Sequence, residues 1–347
     1  MFLRNNIYLA YLSGFAFVCI CVLIGVSVGS VSIPLSTSAD ILWRSLWNLN
    51  MPAAVNETDV SIILNIRLPR VMLAVLVGAA LAIAGAAFQG LLKNPLADPY
   101  TIGVSSGSAL GAVIVLYSGL SLPLLGSFTL PVISIITGFL TLLFILGFVR
   151  MIEKTLRTET IILAGIIVSS FLGAFISLLI ALTGEELRQI INWLMGSVSM
   201  RGWEYFGLMF PFFIIGVLLL LLNGKELNAL VFGEETAKTL GVDTDKRRIV
   251  ILAGASLLTG SAVAVSGTIG FVGLVVPHVV RLLYGPDHRL LLPLSIFAGA
   301  GFLVLTDLGA RTIIAPTELP IGVITAILGA PVFGILLYHQ RRHRRKG

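Results

Sequence analysis

The chain alternates long uncharged runs with short charged turns, and this alternation predicts helices that cross a bilayer. A crossing helix needs about twenty apolar residues to span a hydrocarbon core of roughly 30 Å. Ten segments fit: residues 7–31, 71–92, 102–120, 123–149, 160–183, 205–222, 249–265, a short 269–283, 293–308 and 321–338. The second organises the chain. It opens with RLPR (67–70), carries no charge from 71 to 92, and ends at KNPLADP (93–99). Two prolines, a Lys and an Asp need water or protein around their backbone, so this stretch reads as a polar turn at the membrane surface. The third segment carries Gly103, Gly107 and Gly111 at a spacing of four, which lets neighbouring helices approach closely.

The connections carry weaker patterns. Residues 36–40 (STSAD) read as a helix N-cap, with Trp43 and Trp47 following on an interfacial helix. Residues 184–204 form an amphipathic connection with Trp193 and Trp203 at an interface, and 150–159 is a charged turn. The first apolar run is too long for a signal-peptide core and no small-x-small site follows it, so it reads as a retained helix.

Composition supports a membrane protein: 57% hydrophobic, 12% charged, mean hydropathy +1.01, where a soluble domain carries about 25% charged residues. A net charge of +6 raises nucleic acid as a partner, but the cations are scattered between apolar runs and end in one terminal cluster, which argues against it. With both termini inside, only Arg44, Arg67, Arg70, Arg188, Arg201 and Arg311 of the 23 Lys and Arg fall outside. The bias fixes the orientation. The expectation is an all-α polytopic membrane protein, one domain over 1–347, with about ten crossings and both ends cytoplasmic. Segments 77–92 and 259–275 resemble each other and lie five crossings apart, which predicts an inverted internal repeat of the kind transporters use.

The sequence holds little reactive chemistry. It has no G-x-x-x-x-G-K-[ST] phosphate loop and no HExxH. Cys19 and Cys21 sit two apart in one helix and suit neither a metal site nor a disulfide framework. His278, after Pro277, reads as a packing or hinge residue. Carboxylates are nearly absent from the spans, which argues against an ion-coupled carrier. An intramembrane enzyme would need a Ser/Lys, paired Asp or His/Glu constellation, and none stands out. No catalytic or metal-binding residue is assigned, so the energy for transport must come from a partner.

The 223–248 segment is where such a partner would bind. Its 233–241 portion predicts a short helix: Gly233 at the start, Glu234 and Glu235 in the first turn, Lys238 in the last, and Gly241 just past the end. Leu230, Phe232, Ala237 and Leu240 are apolar residues on a cytoplasmic loop with nothing evident to cover them, which predicts a protein partner. A helix lying on the lipid surface is the alternative, but its mixed, near-neutral charge gives little attraction to anionic lipid.

RLPR (67–70), GAALAIAGAAFQGLLKNPLADPYTIGVSSGSALG (78–111), LGV after GEETAKTL (233–242), GTIGFVGLVVPHVVR (267–281), DHRLLLP (287–293) and ELPIGVITAILGAPVFG (318–334) resemble the FecCD family. These are ten-helix permeases of binding-protein-dependent ABC importers for ferric siderophores, haem and cobalamin. The resemblance covers nearly the whole chain. It implies a bacterial cytoplasmic membrane, a second permease subunit (a copy or a related chain), two cytoplasmic ATPases that hold the ATP and Mg, and an external substrate-binding protein. It identifies 233–241 as the coupling helix, places Arg67 and Arg311 against acids on the binding protein, and places Thr158 and Glu159 at the inner narrowing of the pathway. Glu159 departs from the family pattern there, and an N-cap with a first-turn acid is the other reading. For the two arginines the other reading is snorkelling to lipid headgroups or pairing with a neighbour such as Asp307 or Glu318. Small residues of the second, third and eighth spans, Gly103 and Gly107 among them, suit a wide pathway for a bulky chelate. Ferric siderophore is the leading expectation for the cargo.

Overall fold

The computed structural model describes residues 7–29, 31–52, 55–153 and 155–344, and among these there is no strand. The helices in order are α1 (Ile7–Ser27), α2 (Leu35–Leu46), α3 (Glu57–Ser61), α4 (Leu68–Leu91), α5 (Val104–Ser118), α6 (Thr129–Ile152), α7 (Thr158–Leu182), α8 (Leu187–Leu194), α9 (Gly202–Leu221), α10 (Gly224–Val231), α11 (Glu234–Thr239), α12 (Thr244–Ser266), α13 (Val272–Tyr284), α14 (His288–Thr312) and α15 (Ile321–Arg344). A π-helical turn, Ile62–Arg67, leads α3 into α4. Seven of the helical segments are long and apolar enough to cross a membrane, and α5, α13 and the apolar part of α15 are shorter apolar helices. A helix therefore stands at each of the ten predicted segments, and seven of them are long enough to span a bilayer. Arg4, Lys154, Arg345 and Lys346, counted above as inner cations, lie outside the described residues.

The organising stretch becomes the centre of the bundle. Every residue from Leu76 to Leu91 of α4 is buried, against α9, α12, α13 and α14. Small side chains allow this. A methyl at Gly78 would collide with the carbonyl oxygen of Gly299 on α14, and one at Gly85 with that of Gly273 on α13. Lipid tails are as apolar as Leu, so helices in a membrane gain from close packing rather than from escaping water. By contrast, α7 buries only Ile161, Ala164, Gly165 and Val168, and its remaining apolar surface is left for lipid or another subunit.

Two interruptions lie inside the bundle and correct the sequence reading. Only Lys93, Asn94 and Leu96 of the KNPLADP turn are exposed; the chain then folds inward through a 3-10 turn, Pro99–Ile102. Tyr100 donates its hydroxyl to the Ile269 carbonyl (3.0 Å) and accepts from the Ile269 amide (2.8 Å). Residues 267–271 break the path between α12 and α13, with Gly267 at φ +70° and Phe271 at φ +68°. The 13-residue α13 spans about 20 Å, so the break lies within membrane depth, where irregular backbone persists only when protein satisfies it. Tyr100 does this for Ile269, and the Ser197 amide does it at the end of α12 by donating to Ser266 O at 2.7 Å; the Thr268 hydroxyl in turn donates to Leu194 O. The similar segments 77–92 and 259–275 are thus not equivalent: the first lies in and at the end of one helix, while the second runs through this break.

Smaller differences follow from packing. α2 starts at Leu35 with Pro34 at its cap position, so the expected hydroxyl cap does not form; Trp43 and Trp47 are exposed, as an interfacial helix requires. Trp193 is buried beside Ala109, Ala112 and Val263 rather than lying at an interface, whereas Trp203 stays exposed and donates its indole N–H to Leu64 O at 3.1 Å. Cys19 is exposed and Cys21 buried. His278 is buried and meets Phe333 of α15 edge-on.

Gly85→Ala should destabilise the protein by about 1–3 kcal/mol, the usual cost of overpacking, because the clash is backbone against backbone. Gly147→Ala, where nothing lies within 4 Å, should not. Melting of the two variants in detergent checks this; equal Tm values would contradict it.

Candidate functional site

At the outer end, three arginines converge. Arg67 closes the π-helical turn and is only 5% exposed. Its Nη1 donates to the carbonyls of Val26 (3.0 Å) and Ser27 (2.7 Å), and its Nη2 to that of Val31. Arg311, 7% exposed, donates to the Gly25 carbonyl and lies 3.6 Å from Asp307, one turn earlier on α14. The last carbonyls of a helix lack intrahelical donors and carry partial negative charge. The two guanidinium groups therefore cap the outer end of α1. This corrects the expectation that Arg67 and Arg311 present their charges to an outside partner: both are inside the protein and already engaged.

Arg70 completes the cluster. Its Nε and Nη2 hold the buried Asp307 at 3.0 and 2.9 Å, and its Nη1 reaches Glu318 (2.7 Å) and Ser199 (3.2 Å). It ties α4, α14, the 313–320 loop and the segment before α9 together. Burial raises the Glu318 carboxyl, but the pair with Arg70 outweighs it and holds the group below its usual range. The sequence showed Arg70 only as an outer cation; the one local signal was the four-residue spacing of Asp307 and Arg311.

At the inner end, the coupling segment divides into a fixed base and a projecting tip. α10 is the base. Asn228 donates to Asp287 (2.7 Å) and accepts from the His288 amide (2.9 Å), which fastens α10 to the start of α14, while Arg247 donates to Asn223 at 3.1 Å. α11 is the tip, bounded by Gly233 at φ +120° and Gly241 at φ +80° as the sequence predicted. The apolar patch needs correction, because Leu230 (3% exposed) and Ala237 (0%) pack into the chain's own core. Phe232 (76%) and Leu240 (66%) remain uncovered. Phe232 also borders a cavity of about 760 Å³ that Gln89, Lys93, Arg281 and His288 help to line. Lys238 bonds Glu234 at 3.0 Å, while Glu235 stays exposed. Lys238, with a smaller contribution from Arg248, holds the Glu234 carboxyl below its usual range against the effect of burial.

The expected gate residues are dispersed. Thr158 and Glu159 open α7, Thr158 half-buried and Glu159 exposed; the cap position is Arg157, and no side chain caps the helix. Gly103 and Gly107 are corrected to packing positions. Gly103, at φ +90°, turns the chain into α5 against Ser169 and Ile145, and Gly107 lies against Thr141 and the Thr137 carbonyl of α6. Neither glycine lines an opening.

A closely packed helical bundle with long apolar helices, irregular segments inside it and an exposed apolar tip at one end fits a membrane transport subunit. Residues 17–339 match the sequence model of the FecCD transport family, and the chain belongs to that family. It is 57% identical over 346 residues to the ABC transporter permease protein YvrB of Bacillus subtilis, covering 99% of this chain and 97% of the other. It is 43% identical over 290 residues to the cobalamin import system permease protein BtuC of Halobacterium salinarum, covering 82% and 75%. Among solved structures, the inward-facing form of a putative metal-chelate type ABC transporter superposes with TM-score 0.82 at 35% identity, over 95% of this chain and 98% of that one. The chain is thus an ABC permease subunit and a multi-pass membrane protein.

Arg67→Ala should leave the end carbonyls of α1 without donors, at a cost on the order of 2 kcal/mol for buried bonds to a charged group. The expected reading is a lower Tm that stays low across salt concentrations, because buried pairs are poorly screened. A loss that disappears in high salt would contradict the capping role.

Proposed function

We propose that this chain forms half of the pathway by which a bulky iron chelate, foremost a ferric siderophore, enters a bacterium across its cytoplasmic membrane. Two permease subunits, copies or related chains, enclose the pathway. ATP is bound and hydrolysed with Mg on two separate cytoplasmic ATPase chains, and an external binding protein delivers the chelate. The observation that carries the energy-coupling part is the pair Phe232 and Leu240, exposed on a hinged tip above a fixed base. An apolar helix face of this kind seats in a groove on a partner. The cargo reading draws on the metal-chelate transporter of the same fold. Cobalamin is the second reading, favoured by the halobacterial relative.

Two roles keep a proposed place in this scheme. Arg67 and Arg311 serve docking of the binding protein indirectly, by fixing the outer end of α1 and the loops around it. Thr158 and Glu159, at the cytoplasmic start of the largely uncovered α7, form part of the inner gate between permease subunits.

Phe232→Asp or Leu240→Asp should reduce uptake to background in proteoliposomes while the permease remains inserted, because a charge in a desolvated groove costs several kcal/mol. The same reconstitution, with the binding protein present, tests the cargo. A ferric siderophore should stimulate uptake and ATP hydrolysis above haem and cobalamin. Normal uptake by both Asp variants would remove α11 as the coupling element, and stimulation by cobalamin alone would transfer the cargo to the second reading.

A further inference from the structure

Arg248 stands in the second turn of α12, in the segment first read only as charged. Its side chain is 4% exposed, yet it belongs to neither the outer cluster nor the apolar tip. A cation near the start of a helix gains nothing from that helix's dipole, and a buried guanidinium is costly unless its donors are used. Its partners therefore have to account for its place. Nη1 donates to the backbone carbonyl of Leu156, and Nη2 lies 3.3 Å from Glu234 Oε2; Asp245, on its own helix, is at 3.4 Å from Nη1. Leu156, itself buried, stands two residues before α7 begins, and Glu234 is the first residue of α11. One side chain thus joins the coupling helix to the chain entering α7.

The surroundings make this join mechanically significant. A methyl at Gly241 would meet nothing within 4 Å and one at Gly233 only the Thr236 hydroxyl at 3.8 Å, so packing wedges neither end of α11. α10, by contrast, is fastened to the start of α14 through Asn228. We propose that Arg248 is the positioning residue that passes a displacement of α11 to the start of α7 and so links ATPase movement to the inner gate. This rests on the importer reading above and adds the route within the subunit. Arginine suits the task because its planar fork holds two partners at once, whereas a lysine ammonium on a flexible stem holds either one loosely. Coupling between sites requires an element that both ends bias; here it is the hinged α11, tied at Glu234.

The test uses the full complex in proteoliposomes, with ATPase and binding protein, and reads ATP hydrolysed per substrate imported for wild type, Arg248→Lys and the exposed control Lys246→Gln. The expected result is an assembled Arg248→Lys complex that still hydrolyses ATP, with the ATP cost per substrate raised about tenfold, within the usual range for coupling between two sites. Lys246→Gln should match wild type. Uptake and hydrolysis falling in proportion, or both unchanged, would overturn the proposal. A wild-type complex without ATP-driven uptake would instead overturn the importer reading itself. A second measurement does not depend on the variant folding: spin labels at Thr155→Cys and Glu235→Cys, in a chain with Cys19 and Cys21 replaced, report the distance across the tie. That distance should stay constant between nucleotide-free and ATP-bound complexes, and a shift on ATP binding would show that the two segments move independently.

Discussion

Backbone contact around α4 is the constraint on which the rest of the structure depends. Gly78 against Gly299 and Gly85 against Gly273 bring three helices together with no side chain between them. Attraction in a membrane grows with packing density rather than with displaced water, so the small residues that would weaken a soluble core give this one its cohesion. A rigid centre then allows the rim to be loose. α7 buries a few residues on one face, and its remaining apolar surface can meet lipid or a second subunit without disturbing α4.

The polar groups at the interruptions and ends of the bundle hold its irregular backbone in place. Tyr100 closes the break between α12 and α13 by pairing both backbone groups of the buried Ile269. At the outer end, Arg67 and Arg311 serve carbonyls of α1 while Arg70 gathers Asp307 and Glu318. At the inner end, Asn228 and Arg248 divide the labour: one fixes the base of the coupling element, and the other ties its tip to the entry of α7. Charge in this protein gathers toward the two ends of the bundle, where it is paired or bonded to backbone carbonyls.

The spans were legible because hydropathy reports length, and length is what a bilayer selects. The family was legible because its motifs are long and ordered along the chain. Depth was not legible. Asp98 and Pro99 read as a surface turn, yet the chain folds inward there, since protein can satisfy polar backbone as well as water can. Counting charges grouped Arg67 and Arg311 at one end of the bundle but could not reveal that both would bond the end carbonyls of α1. Likewise Leu230 and Phe232 look alike in sequence, and only the packing of α10 and α11 shows that the first is covered and the second open.

Site-directed labelling of the coupling element tests the central claim most directly. Single cysteines at Leu230, Phe232, Ala237 and Leu240, in a cysteine-free background, are exposed to a polar maleimide applied to inside-out vesicles, with and without the partner ATPase. The account predicts rapid labelling at 232 and 240 that the ATPase suppresses, and little labelling at 230 and 237 in either condition. Equal labelling at 232 and 240 with the ATPase bound would show that the tip is not the docking element and would contradict the account.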